Sequence, residues 1–139
     1  MNTETTTAER KETEERRIHI FLIKFKEGVT QVQKEDIYQR YQNLAKECGG
    51  KKAGILSYDV EWNQDIRKGY ELCGVSVFKN EGALQKFRAH PKHKEFTTLL
   101  SQVADWVVGD FSKTPEKIDW GTISPKENYF DSSYGSKLK

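Results

Sequence analysis

Apolar residues dominate the segment RIHIFLIKFK, near the beginning of the chain, and successive side chains of such a segment alternate between two faces when it forms a strand. This segment is rich in β-branched and aromatic residues and ends shortly before Gly28, which predicts a strand over 17–26. The alternation divides its side chains between two faces, one with His19, Phe21, Ile23 and Phe25 and the other with Ile18, Ile20 and Leu22. Because both faces carry apolar side chains, we expect both to be covered in the folded protein.

A helix is predicted after this strand. Thr30 is followed three residues later by Gln33, which fits a capping box, and the helical pattern continues to about Cys48. Apolar residues recur at helical spacing and define its inward stripe, which consists of Ile37, Tyr41, Leu44 and Cys48.

Two shorter helices are predicted in the second half of the chain. Asn80 fits the N-cap of a helix from Glu81 to about Ala89. Pro91 disfavours helical geometry at His90, so this helix should end there. The next helix is predicted from apolar residues at helical spacing, namely Phe96, Leu99, Leu100 and Val103.

Three further segments are typical of strands, at 55–62, 70–78 and 106–111. The predicted order is β-α-β-β-α-β, which indicates an α+β protein with the ferredoxin-like split motif. Helices cover only one sheet face in that arrangement, so the other face needs a partner. A second copy of the same sheet is the simplest cover, and the sequence therefore predicts a homodimer that forms a dimeric α/β barrel.

The domain occupies the middle of the chain. Residues 1–16 are polar and are predicted to form a disordered arm, residues 17–111 to form the α/β-barrel domain, and residues 112–139 to form a C-terminal extension. Aromatic residues are scattered through the extension and suggest that it docks on a surface: Trp120, Tyr129, Phe130 and Tyr134.

Composition excludes several classes of protein. The 139 residues carry a formal net charge of +2 with both signs interspersed, which predicts no nucleic-acid interface. No apolar run is long enough to predict a membrane span. Cys48 and Cys73 do not suggest a disulfide framework, and reduced thiols are typical of a cytoplasmic protein.

The densest group of chemically useful side chains is FRAHPKHKEF, which contains His90 and His93 around Pro91. Neutral imidazole accepts a proton near pH 7, so either histidine could serve as a general base. The alternatives are a helix junction at His90 and an ordinary polar residue at His93. A metal site is disfavoured, since Pro91 interrupts the helical spacing and no further ligands follow at a matching distance.

Several segments in order resemble the stress-responsive dimeric α/β-barrel domain family: HIFLIKFKEGVTQVQK, KGY, VFKNEGALQKF, HPKH and GDF. The resemblance covers roughly residues 17–111. It implies a ferredoxin-like fold, dimerisation into a barrel, a pocket between the sheet and the helices, and chemistry without a cofactor.

The family includes a plant polyketide cyclase, and the resemblance to it implies roles for individual residues. His93 falls on the catalytic base, and His19 and Tyr41 fall on pocket residues that donate or orient. Two positions depart from that enzyme, because Phe87 and Leu72 stand where it has a tyrosine and a histidine. The expected pocket wall consists of Phe21, Ile23, Leu72, Phe87, Tyr70 and Trp106, although core packing is an open alternative for the aromatic residues.

The favoured function is therefore a cofactor-independent cyclase or lyase acting on a polyketide-like or related natural-product substrate. One alternative is a non-catalytic stress-response protein that binds a small apolar ligand or a partner. Another is a cofactor-free monooxygenase-like barrel.

Overall fold

A four-stranded antiparallel sheet organises residues 15–114, the part of the chain that the computed structural model describes. The strands are β1 (Arg16–Phe25), β2 (Ile55–Trp62), β3 (Leu72–Phe78) and β4 (Ala104–Lys113). Their spatial order is β2-β3-β1-β4, so β1 lies between β3 and β4. This topology confirms the predicted ferredoxin-like α+β fold.

Three α-helices connect the strands: α1 (Gln31–Glu47), α2 (Glu81–Ala89) and α3 (Pro91–Val103). A short 3-10 turn (Gly50–Ala53) precedes β2. The predicted capping box begins α1, since the Gln33 amide donates to the Thr30 hydroxyl at 3.2 Å and the Thr30 amide donates to Gln33 Oε1 at 2.8 Å.

His90 forms the junction between α2 and α3. It adopts extended backbone geometry, and its Nδ1 atom accepts a hydrogen bond from the Lys92 amide at 3.0 Å. Pro91 is the first residue of α3, a position where a missing amide proton costs nothing. The helix-junction interpretation of His90 is confirmed.

The helix-covered face of the sheet carries the core. Phe21, Ile23 and Phe25 are buried there. Phe21 pairs with Gly74 on β3, where an added Cβ would lie 2.2 Å from the Phe21 ring. The absence of a side chain at Gly74 therefore makes room for the aromatic ring on which the candidate site rests.

The opposite sheet face is open and apolar. Ile20 and Leu22 are 43% and 37% exposed, and Ile20 lies directly between Val75 on β3 and Gly109 on β4. The division of the β1 side chains between two faces is confirmed. Apolar side chains on the open face are exposed among the described residues and call for a cover.

Two strands differ from their predicted limits by two residues or more. β3 begins at Leu72 rather than Tyr70, since the Asn63 side chain donates to the Tyr70 carbonyl at 2.8 Å and holds that residue in the preceding loop. β4 runs over Ala104–Lys113 rather than 106–111, because Ala104 leaves α3 directly in extended geometry.

Most of the predicted N-terminal arm and C-terminal extension, including Trp120, Tyr129, Phe130 and Tyr134, lies outside the described residues. Between residues 15 and 114, no helix has both the length and the hydrophobicity that crossing a bilayer would require.

Candidate active site

A cleft of about 440 Å³ opens between the sheet and α3 on the helix-covered side. Its volume falls within the usual range for small-molecule sites. The three side chains predicted to carry chemistry all line it: His19 from β1, Tyr41 from α1 and His93 from α3. Residues more than seventy positions apart in the chain therefore meet in one site.

Asp110 holds His19 at the sheet side of the cleft. The two residues are directly paired across β1 and β4, and His19 Nδ1 lies 2.7 Å from Asp110 Oδ1. Arg88 on α2 donates to the other carboxylate oxygen at 2.6 Å. A charged carboxylate only accepts hydrogen bonds, so the proton of neutral His19 resides on Nδ1 and leaves Nε2 free as an acceptor.

Asp110 remains ionised in this arrangement. Burial alone would raise the pKa of its carboxyl group, but hydrogen bonds and charge from His19 and Arg88 outweigh burial and hold the pKa below its ordinary value. The carboxylate thus orients His19 and also ties β1, β4 and α2 together at the edge of the cleft.

Sequence reasoning missed Asp110 and Arg88 as functional residues. The sequence pattern does indicate Asp110, because it follows Trp106 and Val108 at every second position of β4 and so lies on the same inward face. A carboxylate on an otherwise apolar inward face requires a partner. The identity of that partner depends on strand register and helix placement, which the local pattern does not contain.

His93 is neutral near pH 7. Burial is the main cause that lowers its pKa to about 4, and electrostatic repulsion from His19 and His90, when they are protonated, and from Arg88 lowers it further. Its Nδ1 atom lies 3.4 Å from the Thr97 hydroxyl, whose own proton is donated to the His93 carbonyl. When Nδ1–H donates to that hydroxyl, Nε2 is left with a free lone pair.

Tyr41 contributes a protonated hydroxyl. Its ring stacks on Phe21 with centroids 4.3 Å apart and contacts Phe96 at 4.6 Å, which fixes its orientation. Burial raises the pKa of the phenol, so the hydroxyl stays protonated across the physiological range. Within residues 15–114 this hydroxyl has no hydrogen-bond partner, and it is available to donate.

The predicted pocket wall is corrected in part. Trp106 lines the cleft, whereas Phe21 and Phe87 lie behind the polar residues, with the Phe87 ring edge-on to His93 at 4.7 Å. Ile23 and Leu72 have no exposed surface and belong to the core, because they pair with each other at the centre of the sheet.

Tyr70 does not line the cleft. It lies in a separate hollow with Leu22 on the open side of the sheet, and Lys24 Nζ is 5.6 Å from its ring. The loop geometry that removes Tyr70 from β3 also removes its hydroxyl from the candidate site.

Metal ligands do not converge in the described part of the chain. Across residues 15–114, no three side chains of the His, Cys, Asp or Glu type are grouped so that they could hold an ion. His90 uses Nδ1 to cap α3, whereas His93 lines the cleft, so the two histidines of HPKH have different roles.

Comparison with known proteins shows which family the sequence matches. The model of the stress responsive A/B barrel domain matches residues 18–113. The stress-response A/B barrel domain-containing protein HS1 of Arabidopsis thaliana is 31% identical over 65% of this chain and 82% of that relative. Olivetolic acid cyclase of Cannabis sativa is 29% identical over 71% of this chain and 96% of the cyclase.

The solved structures agree on the fold. A dimeric ferredoxin-like protein of unknown function from Thermobifida fusca superposes with a TM-score of 0.62 at 19% identity, over 72% of this chain and 92% of that protein. At this level of identity the likeness concerns the fold alone.

Proposed function

This chain belongs to the stress-responsive A/B barrel domain family, and we propose that its cleft is the active site of a cofactor-independent cyclase or lyase. The substrate class would be a polyketide-like or related natural product with acidic C–H groups. The observation that carries the proposal is the meeting of a neutral histidine, a carboxylate-held histidine and a buried phenol in one cleft.

The chemistry would begin with proton removal. In the proposed reaction, His93 Nε2 takes a proton from a carbon between two carbonyl groups, and the resulting enolate carbon attacks a carbonyl of the same chain. A carbon–carbon bond forms, and the attacked carbonyl oxygen becomes an alkoxide. The imidazolium of His93 then returns its proton to this oxygen, so ring closure needs no oxidant, reductant or added group.

Tyr41 would stabilise the negative charge. Its neutral hydroxyl would donate a hydrogen bond to the oxygen on which negative charge develops. The stacked ring cannot rotate away without losing its contact with Phe21. His19 would act as a second orienting group, with Asp110 fixing which nitrogen faces the ligand.

Apolar surface would shape the substrate. Trp106, Phe96 and Leu100 line the same cleft and can fold a flexible chain so that the two reacting carbons meet. Holding both ends of one chain in a reactive geometry removes much of the entropic barrier to ring closure.

Dimerisation would complete the fold. The open face of Ile20, Leu22, Val75, Val107 and Phe111 is apolar, and a second copy of the sheet supplies an equally apolar cover. The Thermobifida fusca relative is described as dimeric, which supports the same assembly here.

A non-catalytic ligand-binding protein is the second candidate. Phe87 packs its ring against His93 and offers no hydroxyl, so the base lacks one donor that the resemblance to the polyketide cyclase leads us to expect. A cleft with fewer polar groups suits binding of an apolar ligand without turnover.

Product analysis separates the two candidates. The full chain is incubated with a linear poly-β-keto thioester, and cyclic products are quantified by mass spectrometry. The proposal predicts ring closure by the native protein and loss of it in His93→Ala and Tyr41→Phe, with circular dichroism unchanged. Tight binding of the thioester with no turnover by the native protein would instead establish the second candidate.

A further inference from the structure

A second concave site lies at the opposite end of α2 from the cleft. It has a volume of about 390 Å³ and is formed by the 3-10 turn, the residues after β3 and the first turns of α2. Four of its lining residues are lysines, Lys51, Lys52, Lys79 and Lys86, and none of the described residues that line it is acidic. We call this site the lysine pocket.

The helix register explains the convergence on one side. Gly82 and Lys86 are four residues apart and share one face of α2, beside Ala83. Lys79 lies before the Asn80 N-cap and reaches the same side from the end of β3. Gly82 leaves this face without a side chain between the two lysines, and the face is therefore concave.

Main-chain contacts hold the other side in place. The Lys79 amide donates to the Gly54 carbonyl at 2.8 Å, and the Gly54 amide donates to the Lys51 carbonyl at 2.9 Å. Gly54 has φ +88°, and a Cβ at this position would lie 2.7 Å from Ala83 Cβ. The 3-10 turn therefore packs directly on α2, and Lys51 and Lys52 are brought to the rim.

The four ammonium groups are not neutralised within the described part of the chain. None of these lysines forms an ion pair there, whereas Glu81, the acid at the start of α2, pairs with Arg17 at 2.9 Å. Like charges gathered around one hollow repel one another, and an anion placed between them removes that repulsion.

We propose that the lysine pocket binds a soluble small molecule through a phosphate or diphosphate group. Four positive charges exceed what one carboxylate can balance, whereas phosphate carries close to two negative charges and diphosphate more. The cavity is also larger than a phosphate needs, so it has room for the organic part of the ligand. This site is independent of the proposed reaction in the cleft.

Titration of the full chain with inorganic pyrophosphate tests the proposal. Backbone NMR signals of Gly54 and Gly82 should shift on binding. Lys79→Gln and Lys86→Gln should each weaken the affinity about fivefold, as expected for one charge contact in water. Lys68→Gln makes the same charge change at the far end of the β2–β3 hairpin and should leave the affinity unchanged.

Four results would overturn the assignment. Unshifted Gly54 and Gly82 signals, or an equal loss of affinity in Lys68→Gln, would mean that no defined anion site exists. Citrate binding as tightly as pyrophosphate would remove the preference for phosphate. Binding to vesicles of phosphatidylcholine and phosphatidic acid that is tighter than pyrophosphate binding and is lost in Lys86→Gln would assign the pocket to a lipid headgroup rather than a soluble ligand.

Discussion

His19 Nδ1 lies 2.7 Å from Asp110 Oδ1, across two strands in which these residues are directly paired. The pairing is set by the sheet itself, and so the histidine is oriented before any ligand arrives. Arg88 occupies the other carboxylate oxygen and prevents the carboxylate from turning away. Asp110 is thus a positioning residue. Removal of its carboxylate should change both the turnover rate and the tautomer of the His19 imidazole.

Asp110→Asn should lower turnover roughly 10-fold to 100-fold, the range seen for outer partners of functional histidines. The neutral amide no longer requires the proton on His19 Nδ1, so imidazole ¹⁵N NMR should show a mixed tautomer population. Unfolding free energy should fall by about 2 kcal/mol, because charged hydrogen bonds to His19 and Arg88 are weakened.

Asp105→Asn is the matched control for this variant. Asp105 lies on the same strand and pairs with Lys24 rather than with His19. Unchanged turnover and an unchanged His19 tautomer in Asp110→Asn would show that the carboxylate serves only the fold.

The lowered pKa of His93 predicts a specific dependence of stability on pH. The unfolded chain binds a proton at His93 near pH 6.5, whereas the folded chain binds it only near pH 4. The unfolded state therefore holds more protons between these values, and the unfolding free energy must fall as the pH is lowered from about 6.5 to about 4. Asp110, whose folded pKa is also lowered, adds its loss of stability at still lower pH.

Urea unfolding at pH 7 and at pH 4.5 measures this effect. The loss of stability on acidification should be smaller in His93→Gln than in the native protein. The acid limb of kcat/KM should also lie near pH 4 rather than near 6.5. An equal loss of stability in both proteins would show that His93 titrates normally.

Dimer formation should depend on the centre of the open sheet face. Leu22→Glu places a carboxylate among Ile20, Val75 and Val107, where a second sheet would have to desolvate it. Sedimentation velocity should show a dimer for the native chain and a monomer for this variant. Val32→Glu, a substitution at a 75% exposed position on α1, should remain dimeric. A monomeric native chain would leave the open face without its proposed cover.

Tyr58→Phe should leave stability unchanged or raise it by up to about 2 kcal/mol. The Tyr58 hydroxyl is buried and has no hydrogen-bond partner among residues 15–114, so its removal relieves a desolvation penalty while the ring keeps its contacts with Tyr41 and Phe87. Chemical denaturation midpoints measure the change. Tyr38→Phe is the control, because its hydroxyl donates to Glu61 at 3.3 Å. Destabilisation of Tyr58→Phe beyond this control would reveal a bond made by the Tyr58 hydroxyl.

Local patterns predicted most of the fold. The capping box at Thr30, the alternation of β1 and the break at Pro91 depend on neighbours within a few residues, and all three are confirmed. Tyr70 was misplaced because a side chain seven residues away, Asn63, captures its carbonyl group and ends the strand.

The candidate site was predictable only in outline. His19, Tyr41 and His93 could be named from the sequence and the family resemblance, and the structure brings them to one cleft. Asp110 and Arg88 complete the site through strand register and helix docking, which are long-range properties. The lowered pKa of His93 likewise arises from burial in the folded state.

Proton exchange is the most direct test of His93 as the general base, since it needs no knowledge of the natural substrate. The α-carbon of a β-keto ester with an apolar chain is followed by proton NMR in deuterated water, with native protein, His93→Gln and His90→Asn. Asparagine at position 90 retains an N-cap for α3. We expect accelerated deuterium uptake with the native protein and with His90→Asn, and about a 100-fold loss of that acceleration with His93→Gln. Equal acceleration by His93→Gln, or none by the native protein, would contradict the assignment of His93 as the general base.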